Sequence, residues 1–315
     1  MHYLLEVDHL SVSFERMERP AVDHVSFNIS KNRILGIVGE SGCGKSTLAK
    51  AIIGMIPKCG KINDGNILYD GQDIINISNK DKKNILGKEI GIIIQESLSS
   101  LNPVKTIGNQ FIQILTERLG ISKEEALEKT KIYLEKVNCK KEVIRKFPFQ
   151  LSGGQRQRVI IAMAFALKPK LLIADEPTTA LDVTLQAQVL SEMLSLKNEN
   201  ESGIILISHN LGVISQVCDD VIVMYKGKIV EYGACDKIIN APSHPYTIGL
   251  IKSIPRIEFS GDERLFNIPD TDTIYYGGCV FASRCFKAEK QCFNQSPELH
   301  RNNNGVFVAC SNCKC

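Results

Sequence analysis

The chain carries the nonapeptide Gly39-Glu40-Ser41-Gly42-Cys43-Gly44-Lys45-Ser46-Thr47, which matches the phosphate-binding pattern G-x-x-x-x-G-K-S. Glycines at these spacings let the backbone wrap closely, so that its N–H groups face a phosphate. The pattern predicts that Lys45 contacts the β- and γ-phosphates of a bound nucleotide and that the Ser46 hydroxyl ligates Mg²⁺. The nonapeptide therefore predicts a nucleotide site.

The flanks of the nonapeptide support this interpretation. Residues 34–39 are a short, continuous apolar run of the kind that forms a fully buried central strand. Residues 46–56 have the apolar spacing of a helix, which is predicted to end before Pro57. A phosphate-binding loop needs this order of strand, glycine-rich turn and helix.

The fold class follows from further apolar runs, mostly separated by helical stretches. They lie at residues 90–94, 171–174, 204–207 and 221–224. Their spacing predicts an α/β layered fold with a largely parallel core sheet. Residues 4–14 and 25–29 alternate apolar and polar, which predicts an N-terminal antiparallel β part. Residues 106–146 are rich in helical patterns and include the capping-box pattern Ser122-Lys123-Glu124-Glu125 at a helix start. We expect a helical subdomain at about residues 104–166.

The composition is that of an ordinary soluble globular protein. Its 315 residues include 38 Lys and Arg against 35 Asp and Glu, a net charge of +3, too small and too evenly spread for dedicated nucleic-acid binding. No apolar run approaches the roughly 20 residues of a membrane-spanning helix, and the N-terminus lacks the features of a secretory signal. We expect a cytoplasmic protein with no nucleic-acid partner.

Cysteine is the unusual residue type. Of the 11 cysteines, those crowded near the C-terminus are Cys279, Cys285, Cys292, Cys310, Cys313 and Cys315. In a reducing compartment such a cluster more often holds a metal than forms disulfides. Four thiolates suit either an iron–sulfur cluster or a structural zinc, and the spacing fits neither common ferredoxin pattern. The residues alone leave both metals open, together with unliganded thiols.

Two carboxylates follow the apolar run at residues 171–174. Asp175, at the tip of the predicted strand, suits the role of holding Mg²⁺ beside a phosphate-binding loop. Its neighbour Glu176 is placed to polarise an attacking water as a general base. Such a pair is usually a solvated loop start, but together with the nonapeptide it predicts a hydrolytic site.

A second glycine-rich motif, Leu151-Ser152-Gly153-Gly154-Gln155, matches the signature of ATP-binding cassette (ABC) proteins. The chain resembles this family, and the resemblance implies an ABC-type P-loop ATPase. It also implies that two cassettes pair head to tail, so that Ser152, Gly153, Gly154 and Gln155 act on ATP held by the partner's nonapeptide. ATP then favours the closed pair over the open one, which implies a motor subunit for attached membrane proteins.

The resemblance implies roles for other residues as well. Gln95 resembles the glutamine that senses Mg²⁺, Asp182 in Ala180-Leu181-Asp182 the D-loop aspartate, His209 the switch histidine, and Phe14 the aromatic residue that stacks on adenine. The implied ATP-binding residues are the nonapeptide, Phe14 and Gln95. The implied Mg²⁺ ligands are Ser46, Gln95 and Asp175, and the implied catalytic residues are Glu176 and His209. A core position explains Phe14 equally well.

Longer stretches resemble the ATPases of dipeptide/oligopeptide importers and their nickel-importing relatives. The most specific is Pro242-Ser243-His244-Pro245-Tyr246-Thr247, and Ser99-Ser100-Leu101-Asn102-Pro103 also matches. One departure is Glu96-Ser97, where the family usually has Asp-Pro. The resemblance implies a subunit that hydrolyses ATP to import peptides. Nickel or nickel-chelate import is the alternative, and a soluble, non-transport ABC protein is a remote one.

The tail resembles the C-terminal extension of the peptide-importer subunits. That resemblance implies a [4Fe-4S] cluster on Cys279, Cys285, Cys292 and Cys310, with Zn²⁺ as the alternative and with Cys313 or Cys315 able to replace Cys310. It favours peptides over nickel, because short nickel-type subunits generally lack such a tail. We expect an ATP-binding domain at residues 1–254 and a small, irregular, cysteine-rich extension at residues 255–315.

The implied partners are a homologous second ATPase subunit, two transmembrane permease subunits and an extracytoplasmic substrate-binding protein. The chain itself is expected on the cytoplasmic face of the cell membrane as a peripheral subunit.

Overall fold

The nonapeptide lies between a buried strand and a helix, as its flanks predict. In this computed structural model the strand spans Ile34–Val38, and all of its residues are buried. The helix spans Lys45–Ile52 and is shorter than predicted. It ends early because Gly54 adopts a left-handed conformation, with φ 66°, and turns the chain.

The structure describes residues 2–95, 100–178, 181–253 and 277–313. The strands are β1 (Leu5–Phe14), β2 (Val22–Ile29), β3 (Ile34–Val38), β4 (Gly60–Tyr69), β5 (Gln72–Asp73), β6 (Ile90–Ile93), β7 (Leu171–Asp175), β8 (Gly203–Ile207), β9 (Asp220–Tyr225), β10 (Lys228–Ala234), β11 (His300–Arg301) and β12 (Phe307–Val308). The helices are α1 (Lys45–Ile52), α2 (Asn79–Ile85), α3 (Ile107–Leu119), α4 (Lys123–Lys136), α5 (Gly153–Ala166), α6 (Val183–Asn200), α7 (Leu211–Val217), α8 (Cys235–Asn240) and α9 (Pro245–Lys252). Within these ranges, no helix combines the length and the apolar character needed to cross a membrane.

The described residues divide into two compact units. The first comprises residues 2–6, Asn28–Arg33 and Leu68–Ile207, and the second comprises Val7–Phe27, Ile34–Ile67 and the described residues from Ser208 onward. The predicted domain boundary between residues 254 and 255 lies outside the described residues, so the two-domain division stays a prediction.

In the first unit, β7 lies between β6 and β8, and the three strands are parallel, as predicted. Every residue of β7 and β8 is buried, which is typical of parallel strands covered on both faces. The strands run in the same direction, so their carboxyl ends lie at one edge. The carboxylate of Asp175 ends β7 at this edge.

The helical block of the first unit is confirmed: α3, α4 and α5 pack against one another. The capping box predicted for α4 is present. The Ser122 hydroxyl accepts a hydrogen bond from the Glu125 N–H at 3.2 Å, and the Glu125 carboxylate accepts one from the Ser122 N–H at 3.0 Å. A largely buried ion pair, Arg158 to Glu192 at 3.1 Å, joins α5 to α6.

In the second unit the sheet is mixed rather than wholly parallel. Its order is β3-β9-β10-β12-β11, with β3 and β9 parallel and the remaining neighbours antiparallel. The change of direction comes from a two-residue turn between β9 and β10, where Lys226 and Gly227 both have positive φ, 43° and 87°. The N-terminal β part of this unit forms a separate sheet, in which β1 lies between β2 and β4.

The C-terminal segment, residues 277–313, joins the second unit through β12, whose Val308 pairs with Glu231 of β10. The sequence predicted an irregular tail here. Much of the segment consists of turns and 3₁₀ helices, but β11 and β12 are each only two residues long. Such short strands leave no alternation for a sequence pattern to reveal.

A buried carboxylate fixes the start of α9. Glu231 is fully buried, and its two oxygens accept hydrogen bonds from the backbone N–H groups of Ser243, at 2.8 Å, and His244, at 3.0 Å. Burial raises the pKa of Glu231. His244 then caps α9, because its Nδ1 accepts a hydrogen bond from the Tyr246 N–H at 3.1 Å. Burial lowers the pKa of His244 to about 3, so this imidazole is neutral.

Replacing this carboxylate tests its role. Glu231→Ala leaves two buried N–H groups without their acceptor and is expected to lower the free energy of unfolding by about 2–4 kcal/mol. Glu231→Gln, the matched control, keeps one acceptor oxygen and is expected to lose about half as much. Urea unfolding of both variants measures the difference. An alanine variant as stable as the wild type would contradict this account of α9.

Candidate nucleotide-binding site

The phosphate loop of the second unit is folded around the side chain of Lys45. Its ammonium donates hydrogen bonds to the carbonyl oxygens of Gly39 and Glu40, both at 2.8 Å, and Lys45 is only 6 % exposed. Lys45, Ser46 and Thr47 form the first turn of α1. Such a turn carries N–H groups without intrahelical partners and a partial positive charge. This end of α1 therefore has the donors and the charge that bind a phosphate.

Glycines are required in the loop by its backbone. Gly39, Gly42 and Gly44 have φ values of 154°, 79° and 105°, a region that residues with a Cβ rarely adopt. Space is also restricted: a Cβ on Gly39 would lie 2.2 Å from the carbonyl oxygen of Met224, and one on Gly44 2.2 Å from that of Ala21. Cys43 is buried, and burial raises the pKa of its thiol.

The first unit carries the predicted hydrolytic pair at the end of β7. Asp175 is buried, and Glu176 follows it with φ 49°. A positive φ is uncommon for glutamate and is often found at functional sites. The Glu176 N–H donates to the Ile207 carbonyl at 2.9 Å, which holds the strained backbone in place. The amide of Gln95 lies 3.4 Å from the Glu176 carboxylate, so the structure brings these two predicted residues together.

The signature motif forms the start of α5. Ser152 is the N-cap: its hydroxyl accepts a hydrogen bond from the Gln155 N–H at 3.3 Å, and the Gln155 side chain accepts one from the Ser152 N–H at 3.2 Å. Nothing lies within 4 Å of the position that a Cβ on Gly153 would occupy, whereas Gly154 is buried against Leu185. The N-terminal end of α5 is thus an open helix terminus with a partial positive charge.

The remaining predicted residues lie at the ends of elements. Asp182 is the N-cap of α6 and accepts a hydrogen bond from the Leu185 N–H at 2.9 Å. His209 is exposed and follows β8 in the chain. Phe14 is half-buried at the end of β1 and packs against Gly60. Ala180 of the predicted D-loop and the departure Glu96-Ser97 lie outside the described residues.

Two residues that contact the phosphate loop were missed by the sequence analysis. The Tyr246 hydroxyl accepts a hydrogen bond from the Glu40 N–H at 2.9 Å, and the Arg284 guanidinium forms an ion pair with the Glu40 carboxylate at 2.7 Å. Both contacts join residues more than 200 positions apart in the chain. No local pattern signals such a contact.

Four of the C-terminal cysteines line one pocket of the second unit. They are Cys279, Cys285, Cys292 and Cys310, together with the rings of His244 and Phe281, around an empty volume of about 350 Å³ that includes the open mouth. Across the described ranges, however, no group of three or more His, Cys, Asp or Glu side chains is arranged to hold a metal ion. The described residues therefore hold no preformed metal site, and the iron–sulfur cluster or zinc stays a prediction.

The thiols of this pocket differ in acidity. Burial raises the pKa of Cys279 and that of Cys285, the latter to about 11. A hydrogen bond from the neighbouring Cys313 lowers the pKa of Cys310. The Cys313 thiol also lies 2.9 Å from the Ser243 carbonyl oxygen, to which it donates. Cys310 is one of the residues that line the pocket. Cys313 lies next to it and is hydrogen-bonded to Ser243. Cys315 lies outside the described residues.

Comparison with known families decides the identity of the chain. Residues 22–179 match the ABC transporter family, and residues 230–292 match the C-terminal region of oligopeptide/dipeptide transporters. The chain belongs to the ABC transporter family. This ABC chain is 45 % identical to the oligopeptide transport ATP-binding protein OppD of Bacillus subtilis, over 97 % of its own length and 87 % of the relative's. It is 40 % identical to the dipeptide transport ATP-binding protein DppD of Escherichia coli, over 94 % and 93 %.

Solved structures confirm the fold of the ABC chain. CbiO1 of Clostridium perfringens, part of the ABC transporter complex cbiONQ, superposes with a TM-score of 0.67 at 26 % identity, covering 76 % of this chain and 92 % of that one. A post-hydrolysis dimer of an ATP-binding cassette bound to ADP and phosphate has a TM-score of 0.66 at 24 % identity, covering 73 % and 98 %. The predicted ABC-type α/β fold and the predicted ATPase of the peptide-transporter family are confirmed.

The steric requirement at Gly39 gives a prediction for the protein without nucleotide. Gly39→Ala adds both backbone strain and a clash with the Met224 carbonyl, so it is expected to lower the free energy of unfolding by about 3 kcal/mol or more. The control Gly42→Ala also places an alanine at positive φ, at 79° against 154° for Gly39, but has open space, and a loss of about 1 kcal/mol is expected. Thermal unfolding compares the two. Equal losses would contradict the clash.

Proposed function

We propose that this chain hydrolyses ATP to power the import of oligopeptides or dipeptides. The observation that carries the proposal is the extent of the similarity: relatives named for oligopeptide or dipeptide transport match at 40–45 % identity over 94–98 % of the chain. The match includes the C-terminal segment. Nickel or nickel-chelate import is the alternative function.

The phosphate loop binds the triphosphate of ATP in this proposal. Lys45 is already turned into the loop, where it exchanges the carbonyl oxygens of Gly39 and Glu40 for phosphate oxygens. The donors proposed for Mg²⁺ are the hydroxyl of Ser46, the amide of Gln95 and the carboxylate of Asp175, and oxygen ligands of these kinds suit Mg²⁺. When bound, Mg²⁺ neutralises charge on the phosphate oxygens. The half-buried Phe14 is the residue proposed to stack on adenine.

Glu176 is proposed as the general base. It takes a proton from the water that attacks the γ-phosphate. The hydrogen bond from its backbone N–H to the Ile207 carbonyl holds the Glu176 backbone just beyond β7, and the amide of Gln95 lies beside the carboxylate. His209 is proposed to contact the γ-phosphate. ATP is cleaved to ADP and phosphate, and the proton from the water passes to the carboxylate.

A second cassette is proposed to complete the site. The open start of α5, with Ser152, Gly153, Gly154 and Gln155, then closes over ATP bound to the partner's phosphate loop, and Asp182 lies in the D-loop beside it. A positively polarised helix end suits the γ-phosphate. Because these contacts form only in the closed pair, ATP shifts the population toward closure and hydrolysis reverses it.

The partners follow from the importer role. We propose a homologous cassette subunit, two transmembrane permeases that move with the cassette pair, and an extracytoplasmic substrate-binding protein. The chain then acts at the cytoplasmic face of the membrane as a peripheral subunit. Domains at residues 1–254 and 255–315, with a helical subdomain near residues 104–166, complete the proposal.

The proposal predicts the behaviour of Glu176→Gln in the assembled transporter. The variant keeps its hydrogen-bonding shape but not its basicity, so ATP binding is retained while ATP hydrolysis and the uptake of a labelled tripeptide both fall at least about 100-fold. The control is Glu201→Gln, an exposed glutamate that also has positive φ, 53°, and both rates stay at wild-type level. Retained hydrolysis in Glu176→Gln would contradict the base assignment. Nickel uptake in place of peptide uptake would contradict the substrate.

A metal centre in the C-terminal segment is the finer part of the proposal. Cys279, Cys285, Cys292 and Cys310 line one pocket, and a set of thiol donors alone suits iron–sulfur clusters and zinc. We propose a [4Fe-4S] cluster, with Zn²⁺ as the alternative. Cys310 is preferred to Cys313 as the fourth ligand because Cys310 lines the pocket. When bound, the cluster cross-links the segment.

Anaerobic purification tests this centre. The wild-type protein is expected to be brown and to contain iron and sulfide in a fixed ratio to protein, and Cys285→Ser is expected to lose both because a thiolate ligand is missing. Cys59→Ser, which changes an exposed cysteine outside the pocket, is the control and keeps the metal. A colourless protein with stoichiometric zinc would replace the cluster by zinc. A protein without metal would overturn both.

A further inference from the structure

The carboxylate of Glu40, the second residue of the phosphate loop, is bound by an arginine from the cysteine segment. Arg284 donates from Nη1 to Oε2 of Glu40 at 2.7 Å and from Nη2 to Oε1 at 3.1 Å. The same guanidinium donates to the Tyr225 hydroxyl at 3.1 Å. The Arg284 side chain is 10 % exposed and that of Glu40 37 %. Two parallel bonds from a largely buried guanidinium are the strong form of an arginine–carboxylate pair.

Glu40 is held at three points. Its carbonyl oxygen accepts a hydrogen bond from the Lys45 ammonium at 2.8 Å, its N–H donates to the Tyr246 hydroxyl at 2.9 Å, and its carboxylate binds Arg284. Two of these contacts come from the C-terminal part of the second unit. Because the Lys45 ammonium is hydrogen-bonded to the Glu40 carbonyl, a displacement of Glu40 also displaces the lysine that is proposed to bind phosphate.

Arg284 is itself placed by the cysteine segment. It ends the 3₁₀ helix Ala282–Arg284, its N–H donates to the Phe281 carbonyl at 3.0 Å, and the next residue is Cys285. The Phe281 ring packs edge-on against Tyr225, with centroids 5.2 Å apart. Ala282, Phe281 and Cys285 all line the four-cysteine pocket. Because these pocket residues lie within three positions of Arg284 in the chain, a rearrangement of the pocket also displaces the Arg284 side chain.

We propose that Arg284 is a positioning residue for ATP binding and that, through Glu40, it couples the four-cysteine pocket to the phosphate loop. The inference rests on the proposed binding of ATP by that loop and holds for either metal. A coupling of this kind is reciprocal. Binding of a metal by the four cysteines changes the affinity for ATP, and binding of ATP changes the affinity of the cysteines for the metal by the same factor. A purely structural ion pair would lower the stability of the protein and leave the ATP affinity of the folded chain unchanged.

The first experiment measures the dissociation constant of Mg-ATP for the purified full chain by isothermal titration calorimetry. Arg284→Gln is expected to weaken binding about tenfold, because the loop loses a charge-assisted bidentate contact. Arg284→Lys is expected to lose less, since lysine keeps the charge but not the planar fork. The control Arg301→Gln makes the same change in the same segment, at an arginine that lies over the Phe307 ring, and retains wild-type affinity.

A double-mutant cycle tests whether Arg284 affects ATP binding through Glu40. In the Glu40→Gln background, Arg284→Gln is expected to have little further effect on ATP affinity, because its partner is already neutral. Circular dichroism shows whether each variant is folded, and Arg284→Lys provides a variant that keeps the charge. Wild-type affinity in folded Arg284→Gln, or an undiminished effect in the Glu40→Gln background, would overturn the proposal.

The second experiment tests the coupling to the cysteines. Cys285→Ser is expected to weaken Mg-ATP binding severalfold in the wild-type background and to have no further effect in Arg284→Gln. Wild-type ATP affinity in Cys285→Ser would overturn the coupling. Metal analysis of the same samples separates the proposals: absence of metal contradicts the cluster, whereas a wild-type chain that binds no Mg-ATP contradicts the nucleotide site.

Discussion

A backbone that wraps around a phosphate is the constraint on which the rest of the structure depends. It requires positive φ at Gly39, Gly42 and Gly44 within six residues, and only glycine adopts such angles without strain. The loop also needs rigid support on both sides. The buried strand β3 provides it before the loop, and α1 provides it after the loop together with the positive end of a helix.

The same logic places the other chemical groups at the ends of elements. Asp175 and Glu176 lie where β7 ends, Ser152 starts α5, and Asp182 starts α6. Side chains at such ends are held by the element behind them and face outward from it. Binding a ligand costs little conformational entropy when the groups that contact it are already held in place by rigid elements. This applies to the carboxylates, the helix N-termini and the phosphate loop of this chain.

The C-terminal segment is integrated into the second unit by polar and aromatic contacts that are buried. Tyr225, Tyr246 and Phe281 form a cluster with ring centroids 4.7 to 5.4 Å apart. Beside it, the Glu231 carboxylate holds the start of α9. Buried polar groups with matched partners specify one arrangement, because any other leaves a donor or acceptor unsatisfied. The segment that carries the cysteines is therefore tied to the phosphate loop by specific contacts.

Local sequence was sufficient for the phosphate loop, the buried strands, the capping box of α4 and the signature motif, because each depends on residues that are neighbours in the chain. It did not reveal the short strands β11 and β12, nor the antiparallel turn at Lys226 and Gly227 that makes the sheet mixed. Only the tertiary structure brought Arg284 to Glu40, across 244 positions. Long-range contacts of this kind arise from the packing of whole elements, and packing leaves no periodic pattern in the sequence.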